Sequence, residues 1–282
     1  MTREFGPPAA RKEYDRGAFG PQVTQAEGEG ARLFARYAYA PNKLGYCGPA
    51  DSQTLLEYGA TGVMTGDPRS LARGFHGAWP YLQILARLAG IDDPLDRRVV
   101  EAYWLGGGVS DAVDPREFGA ALLARITPQA GQYWKHLTPE ILDEAAPNHC
   151  FHVLGVYPWS RLLDSPHSAQ PLHVLDSCRI RWGRVMARAG DHRDGDHIVV
   201  RSQCLTWEDG RLGLSGPRSQ RVALVVDGVS FVPDVQPGER VALHWDWVSG
   251  RLTDEQAGTL RRTTLAQLQA TNRRLAHVQE AR

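Results

Sequence analysis

The spacing of apolar residues changes once along the chain, near Pro147. Before that point the apolar residues recur at helical intervals, as in the stripe formed by Leu33, Phe34, Tyr37 and Ala38. Residues 26–147 are therefore predicted to form an all-helical domain. Its first helix is expected to end at Pro41, because proline cannot donate the hydrogen bond that continues a helix.

Further helices are predicted from repeated start signals in the same region. An Asp or Thr that can cap a helix stands directly before a proline, and proline is tolerated in the first helical turn. The signals are Asp67-Pro68, Asp93-Pro94, Asp114-Pro115 and Thr138-Pro139. They predict short to medium helices joined by tight loops, such as NKLGYCGP, residues 42–49.

After Pro147 the sequence becomes richer in β-branched and aromatic residues. HCFHVLGVYPW begins a segment, residues 148–172, that is predicted to be a linking strand and loop. Residues 173–252 contain five or six short apolar runs separated by Gly, Asp and Pro, which is typical of a small β-barrel. The last of these predicted strands is Arg240–Trp247. Residues 253–282 are expected to form an amphipathic C-terminal helix, and residues 1–25 a flexible arm. The predicted fold class is α+β.

The stretch VLDSCRIRWGRV, residues 174–185, is predicted to contain the first strand of this barrel. Ile180, Trp182 and Val185 are expected to form its buried side. Arg179, Arg181 and Arg184 are expected to be mostly solvated, and Cys178 is expected at the start of the strand. Cys204 is predicted to be a buried residue in the middle of a later strand.

Composition limits the possible partners. The 282 residues contain 32 basic and 32 acidic side chains, so the neutral balance gives no support for nucleic-acid binding. No apolar run approaches the roughly 20 residues needed to span a bilayer, and the N-terminus lacks an apolar signal segment. We therefore expect a cytoplasmic protein. Its four cysteines are widely spaced and are expected to be reduced thiols.

Cys47 is the first candidate for chemistry. It lies in a turn marked by Gly45, Gly48 and Pro49. A thiol exposed just before a helix would have a lowered pKa and could be a catalytic nucleophile or a metal ligand. The alternative is a small residue packed in a turn, and the sequence leaves this open.

The motif HCFH, residues 149–152, is the second candidate. On a strand, Cys150 and His152 would share one face and could bind a metal, while His149 would point away. A third ligand would have to come from elsewhere, with His76, His173 or Cys47 as candidates. Cys and His are also common in the cores of sheets, so a structural role is the alternative.

The C-terminal part resembles the HypC family of [NiFe] hydrogenase maturation chaperones. CRIRWGRV (178–185) is similar to the opening strand of that family. PDVQPGERVALHWDWVSGRLTDEQAGTL (233–260) is similar to its end, with a PGE turn, a strand closing in His and an acidic helix start. The resemblance covers about 80 residues. It implies a small OB-type barrel, although here the cysteine lies inside the chain, whereas the family's cysteine follows the initiator Met.

The resemblance also implies a function. The HypC family holds the Fe(CN)2(CO) fragment of the hydrogenase centre together with a partner protein and passes it to the large-subunit precursor. The implicated Cys and His map to Cys178 and His244, which are competent ligands for iron. The N-terminal stretch FARYAYAPNKLGYCGPAD resembles an uncharacterised actinobacterial family that we associate with hydrogenase gene clusters.

These observations favour an assembly factor over a stand-alone enzyme. Its expected cargo is iron, either alone or as Fe(CN)2(CO), and its expected partners are the large-subunit precursor and hydrogenase assembly proteins. Two alternatives stay open. In one, the helical domain is an enzyme that uses Cys47 with His76 or His149, and the barrel is its docking module. In the other, the chain is purely a protein-interaction module.

Overall fold

The computed structural model describes residues 25–127, 137–189 and 197–280. The predicted flexible arm lies outside these residues, apart from Gln25, where the first helix begins. Among the helices that are described, none is long and apolar enough to cross a membrane.

The N-terminal half is helical, as its periodicity predicts. Its helices are α1 (Gln25–Lys43), α2 (Ser52–Thr61), α3 (Pro68–Arg73), α4 (Trp79–Leu88), α5 (Arg97–Leu105) and α6 (Pro115–Ile126). Helix α1 is central, because its aromatic stripe is buried against α2 and α5. The prediction that Pro41 ends this helix is wrong. The helix continues for two more residues, to Lys43.

Two of the predicted start signals act as caps. The Asp67 carboxylate accepts a hydrogen bond from the Arg69 amide at 2.9 Å, and Asp114 accepts one from the Glu117 amide at 2.8 Å. At Asp93-Pro94 the helix begins three residues later, where Asp96 caps α5. Thr138-Pro139 opens a 3-10 helix, Pro139–Glu144. These caps satisfy amide groups that have no partner within the helix.

The predicted strand within residues 148–172 is wrong, because the segment is helical. Helix α7 (His149–Phe151) continues as a π-helical turn, His152–Val156, and a 3-10 turn, Pro158–Leu162, precedes α8 (Ala169–Cys178). Asn148 starts this run by accepting a hydrogen bond from the Phe151 amide at 3.1 Å. Residues 148–156 are buried on all sides, so their apolar side chains show neither period and do not distinguish a helix from a strand.

The C-terminal half contains a five-stranded sheet and a separate hairpin. The strands are β1 (Arg181–Ala189), β2 (His197–Ser202), β3 (Leu205–Glu208), β4 (Arg211–Leu214), β5 (Arg218–Ala223), β6 (Arg240–His244) and β7 (Trp247–Leu252). The order is β1-β2-β5-β7-β6, with β1 also paired to β6, while β3 and β4 form a separate two-stranded sheet.

The sheet is strongly curled. Antiparallel ladders join β1 to β2 and β6, β2 to β5, and β6 to β7, whereas β5 and β7 meet at one parallel pair, Ala223 and Trp247. The α+β class and the C-terminal helix, α9 (Asp254–Glu280), are confirmed. The OB-type, HypC-like barrel stays a prediction, because this sheet is joined between β5 and β7 by that single pair.

Three details of the predicted strands are wrong. Cys178 is the last residue of α8, and β1 starts at Arg181. The segment Arg240–Trp247 is interrupted at Trp245, whose φ of 54° turns the chain between β6 and β7. Cys204 lies between β2 and β3, partly exposed, with its Sγ accepting a hydrogen bond from Gln220.

Close packing of α1 against the start of α5 leads to a stability prediction. A Cβ atom at Gly30 would lie 1.9 Å from the Leu95 carbonyl oxygen and 2.7 Å from the Arg97 amide nitrogen. We expect Gly30→Ala to lower the free energy of unfolding by about 1–3 kcal/mol, because backbone atoms must shift. The control is Gly28→Ala on the same helix. No atom lies within 4 Å of its Cβ position, so we expect no loss and a gain of up to about 1 kcal/mol. Urea denaturation measures both, and equal changes would contradict the prediction.

Candidate metal centre

The end of α8 meets the turn between β6 and β7. The Trp245 amide donates a hydrogen bond to the Ser177 carbonyl at 2.7 Å. Strand β1, which follows α8, pairs with β6 in the register Arg181 to Leu243. Cys178 at the end of α8 is therefore held beside His244 at the end of β6. Their proximity follows from the pairing of the first strand of the sheet with a late one.

Helix α7 adds a third donor to this pair. One potential ligand atom from each of His149, Cys178 and His244 lies within 4.8 Å of the other two. Both imidazoles are buried, and the thiol is partly buried. Two nitrogen donors and one sulfur donor that converge at this distance could bind a metal ion of the kind that prefers imidazole and thiolate.

The orientation of His244 is set by helix α1. The His244 Nδ1–H donates to the Tyr37 carbonyl at 2.6 Å. That carbonyl would normally accept from the amide four residues later, but this residue is Pro41, which has no N–H. The proline inside α1 thus frees the acceptor that fixes the ring. The buried Nε2 of His244 then carries a lone pair and has no hydrogen-bond partner among the residues that the structure describes. A metal-binding histidine commonly has its other nitrogen bonded to a carbonyl in this way.

His149 is held by hydrogen bonds at both ring nitrogens. Nε2 lies 3.0 Å from the Cys178 carbonyl oxygen, and Nδ1 lies 3.1 Å from the Tyr103 hydroxyl. A carbonyl only accepts, so Nε2 carries the proton and Nδ1 accepts the hydroxyl hydrogen. His149 therefore joins α7, α5 and the end of α8, and binding a metal through Nδ1 would displace the Tyr103 hydroxyl.

Burial keeps the ionisable groups of this site neutral. It lowers the pKa of His244 to about 4, that of His152 to about 3 and that of His149 well below its usual value. It also raises the pKa of the Cys178 thiol strongly. Without a bound cation the site therefore holds neutral imidazoles and a protonated thiol. A metal ion would stabilise the thiolate and release its proton.

An aromatic cavity of about 150 Å³, here called the inner cavity, contains these groups. Trp104 forms one wall, with its ring 4.6 Å from His149 and 5.6 Å from His244 between centroids. Tyr46 stacks on Trp245 at 4.2 Å at another wall. Among the described residues, no Asp or Glu lines the cavity. The mostly apolar lining lowers the local dielectric constant and so strengthens charge interactions inside the cavity.

A buried charge network fixes the backbone on both sides of Cys178. Asp176 accepts hydrogen bonds from Arg179 at 2.9 Å and from the Leu205 amide at 2.7 Å. Arg181 donates to the Trp245 carbonyl at 2.5 Å, next to His244. The prediction that Arg179 and Arg181 are solvated is therefore wrong, since they are 1% and 3% exposed. The alternation of apolar and polar residues along the strand carries no information about the hydrogen-bond acceptors that surround both guanidinium groups.

Some of the other predicted site residues line this cavity, and others lie elsewhere. Cys47 and His152 line the cavity. Cys150 faces away and packs in an apolar cluster with Val153 and Leu175, where burial raises its pKa to about 11. Its assignment as a partner of His152 rested on a strand and fails with it. On a helix, residues three apart share a face, so His149 and His152 lie together with ring centroids 5.6 Å apart.

The third donor of the cluster was not predicted. His76 is exposed, and His173 lies beside Trp245 at 6.2 Å; neither belongs to the three-donor cluster. Reading HCFHVL with a helical period would have placed His149 and His152 on one face. The signal for that reading was Asn148, a preferred helix-capping residue.

Comparison with known proteins identifies the family to which the chain belongs. No curated protein and no solved structure matches it. One family model matches residues 26–278, which include both the helical half and the sheet, and so all three residues of the cluster. The chain therefore belongs to DUF6390, a family of unknown function.

Proposed function

We propose that this protein is an assembly factor that binds iron, or the Fe(CN)2(CO) fragment, through His149, Cys178 and His244, and that it serves [NiFe] hydrogenase maturation. The observation that carries the metal-binding part is the convergence of one donor from each residue within 4.8 Å. The hydrogenase assignment rests on the resemblance of residues 178–260 to the HypC family. Its partners would be the large-subunit precursor and other assembly proteins in the cytoplasm.

The donor set suits such a cargo. Thiolate and imidazole are ligands for iron, and the unpartnered Nε2 of His244 is available without breaking a hydrogen bond. The inner cavity has space beside the cluster for small additional ligands, and its walls are mostly aromatic. A metal held by few protein ligands keeps positions open for exchange, which a carrier needs and a closed structural site lacks.

The helical half has a defined part in this proposal. It supplies His149 from α7, the Tyr37 carbonyl that orients His244, and the Trp104 wall. Cys178 and His244 correspond to the residues implied by the HypC resemblance, and His149 is an additional donor from outside the resembling segment. The helical half would then provide within one chain what the HypC family obtains from a separate partner.

The competing enzyme hypothesis needs an activated Cys47 thiol. Burial instead raises the pKa of Cys47 to about 12. Helix α2 is capped by the side chain of Asp51, four residues further along the chain, so its N-terminus does not act on this thiol directly. These observations favour a ligand over a nucleophile, since nucleophilic cysteines have lowered pKa values.

Infrared spectroscopy tests the proposal. The full chain would be purified anaerobically from cells that express the hydrogenase assembly genes. We expect CO and CN stretching bands in the wild type and their loss in Cys178→Ala and His244→Ala. Cys204→Ala is the matched control, because Cys204 does not line the inner cavity, and it should retain the bands. Thermal unfolding of each variant separates loss of the cargo from loss of the fold.

Two results would contradict the proposal at different levels. If the wild type shows no bands and hydrogenase activity persists in a Cys178→Ala strain, the hydrogenase assignment is wrong. If the purified protein also fails to bind Fe²⁺, Co²⁺ or Zn²⁺ stoichiometrically, the metal-binding part is wrong as well.

A further inference from the structure

Cys47 lies where the inner cavity meets a larger opening. This second space, here called the outer groove, has a volume of about 590 Å³ and extends past Pro49, His76 and Arg125. Both spaces are lined by Tyr46, Cys47, Gly77, His152 and Tyr157. Cys47 is the only cysteine among the described residues that lines both of them. A ligand that passes from the groove to the three-donor cluster must pass this boundary.

The loop that carries Cys47 is held in a definite conformation. The Asn42 side chain donates hydrogen bonds to the Cys47 carbonyl at 2.7 Å and to the Pro49 carbonyl at 2.6 Å. Gly48 has a φ of +80°, and a Cβ atom there would lie 2.5 Å from the Phe75 ring. The thiol is therefore positioned by its loop. Glycines at 45 and 48, both at positive φ, allow the backbone a conformation that other residues rarely adopt.

The charge of a bare divalent ion calls for a second thiolate, whereas in Fe(CN)2(CO) the two cyanides already balance the charge of the iron. His149 and His244 contribute no charge, so with Cys178 alone a divalent ion would keep a net charge of +1 in a buried site. No carboxylate of the described residues lines the cavity to compensate, and the Arg181 guanidinium donates to the Trp245 carbonyl, directly next to His244. Uncompensated buried charge is costly. A thiolate from Cys47 would make the site neutral.

Cys47 is near the cluster but outside it. Cys47 and Cys178 both line the inner cavity, as do His149 and His244. Cys47 is nevertheless not among the residues whose donor atoms all lie within 4.8 Å of one another. The donors of His149, Cys178 and His244 thus form one metal position, and Cys47 lies next to that position, toward the outer groove.

We propose that Cys47 is the second thiolate ligand of this site, and that it receives the metal from the outer groove before the metal binds Cys178, His149 and His244. This inference rests on the proposed metal-binding function. In the first step the Cys47 sulfur bonds the metal, and its proton passes to solvent. In the second, the Cys178 sulfur bonds the metal and loses its proton, and a ligand that accompanied the metal through the groove departs. The oxidation state of the metal does not change.

Co²⁺ is the probe for this arrangement, because thiolate-to-cobalt charge transfer gives an absorption that grows with the number of bound thiolates. The full chain is titrated with Co²⁺ as wild type, Cys47→Ser, Cys178→Ser and Cys204→Ser. We expect each of the first two variants to lose about half of the charge-transfer intensity per bound ion. Replacing a residue that only hydrogen-bonds to a metal ligand typically lowers the metal affinity roughly 10- to 100-fold. Cys47 would bind the metal itself, so we expect Cys47→Ser to lower the Co²⁺ affinity at least as much. Cys204→Ser should match the wild type.

The rate of Co²⁺ loading tests the order of the two steps. In stopped-flow mixing, Cys47→Ser should slow the appearance of the Co²⁺ spectrum. Cys178→Ser should leave the first, Cys47-dependent phase and remove the second. If Cys47→Ser retains the intensity, affinity and loading rate of the wild type while Cys178→Ser loses its thiolate band, the inference is overturned and the proposed function survives. If the wild type gives no thiolate band, the proposed function itself fails.

Discussion

Asp176→Ala should lower the free energy of unfolding by about 3–5 kcal/mol, because it leaves a buried guanidinium without its carboxylate. Arg179 is 1% exposed and donates to Asp176 at 2.9 and 3.1 Å. Burial lowers the pKa of Arg179, and the Asp176 charge opposes that shift. The Leu205 amide would also lose its acceptor. Urea denaturation of the apo protein measures the change.

An exposed ion pair provides the control. Asp234 pairs with Arg251 at 2.8 Å, but its side chain is 77% exposed. We expect Asp234→Ala to cost no more than about 1 kcal/mol, as is typical of exposed pairs. Equal effects of the two substitutions would mean that Arg179 finds other acceptors after the loss of Asp176. Introducing Arg179→Met into Asp176→Ala should recover part of the loss, since the unpaired charge is then removed.

The same substitution connects stability to the site. Asp176 stands two residues before Cys178 in the last turn of α8, and Arg179 follows Cys178 directly. Arg179 also donates to the Gln203 carbonyl at 2.6 Å, which ties the end of α8 to the segment between β2 and β3. Asp176→Ala should therefore weaken Co²⁺ binding even in the fraction that remains folded. Asp234→Ala should leave that binding unchanged.

The helical half could be predicted because its signals are local. Asp67 and Asp114 cap helices where the sequence placed the starts, and the stripe of α1 is buried as its spacing indicates. These features depend on neighbours within one or two turns. The continuation of α1 through Pro41 depends on tertiary packing, which compensates for the missing hydrogen bond by giving the Tyr37 carbonyl to His244.

Part of the candidate site could also be predicted from the sequence, but from a family resemblance and not from local signals. The HypC resemblance pairs Cys178 with His244, and the pairing of β1 with β6 brings the two residues together. His149 could not be found in that way. Its donor position depends on the helical conformation of a segment buried on all sides, for which periodicity gives no answer. The buried Arg179 and Arg181 were missed because a strand pattern says nothing about partners on other elements.

The metal-free protein should become less stable as the pH falls below about 6.5, because three buried histidines must stay neutral in the folded state. Burial is the main cause of the lowered pKa at each of them, with values of about 4 for His244 and about 3 for His152. At His149 the neighbouring His244 and His152 add to the effect of burial, while the Cys178 carbonyl opposes it. At His244, Arg181 lowers the pKa and the Tyr37 carbonyl raises it.

The direction of this pH effect depends on whether the folded or the unfolded state binds more protons. Between pH 6.5 and about 4 the unfolded chain protonates these histidines and the folded chain does not, so the unfolded state gains stability as the pH falls. Each histidine should cost roughly 2 kcal/mol between pH 7 and pH 5, and all three together roughly 6 kcal/mol. This is a large share of the roughly 5–15 kcal/mol that stabilise a typical domain. Urea denaturation at a series of pH values in the presence of a chelator measures the slope.

Removing one of the three imidazoles separates this cause from general acid unfolding. We expect His152→Phe to reduce the slope by about one third, because one fewer proton is taken up on unfolding. His152 lies among Tyr81 and Tyr157 at 5.1 and 4.4 Å, so an aromatic ring fits the chemistry of its surroundings. His76→Gln, at an exposed position in the outer groove, should leave the slope unchanged. If His152→Phe behaves like His76→Gln, the buried histidines do not set the acid limit of the fold. A bound metal should make the slope steeper, since the folded state then also lacks the Cys178 thiol proton, and protons compete with the ion for the imidazoles and the thiolate as the pH falls.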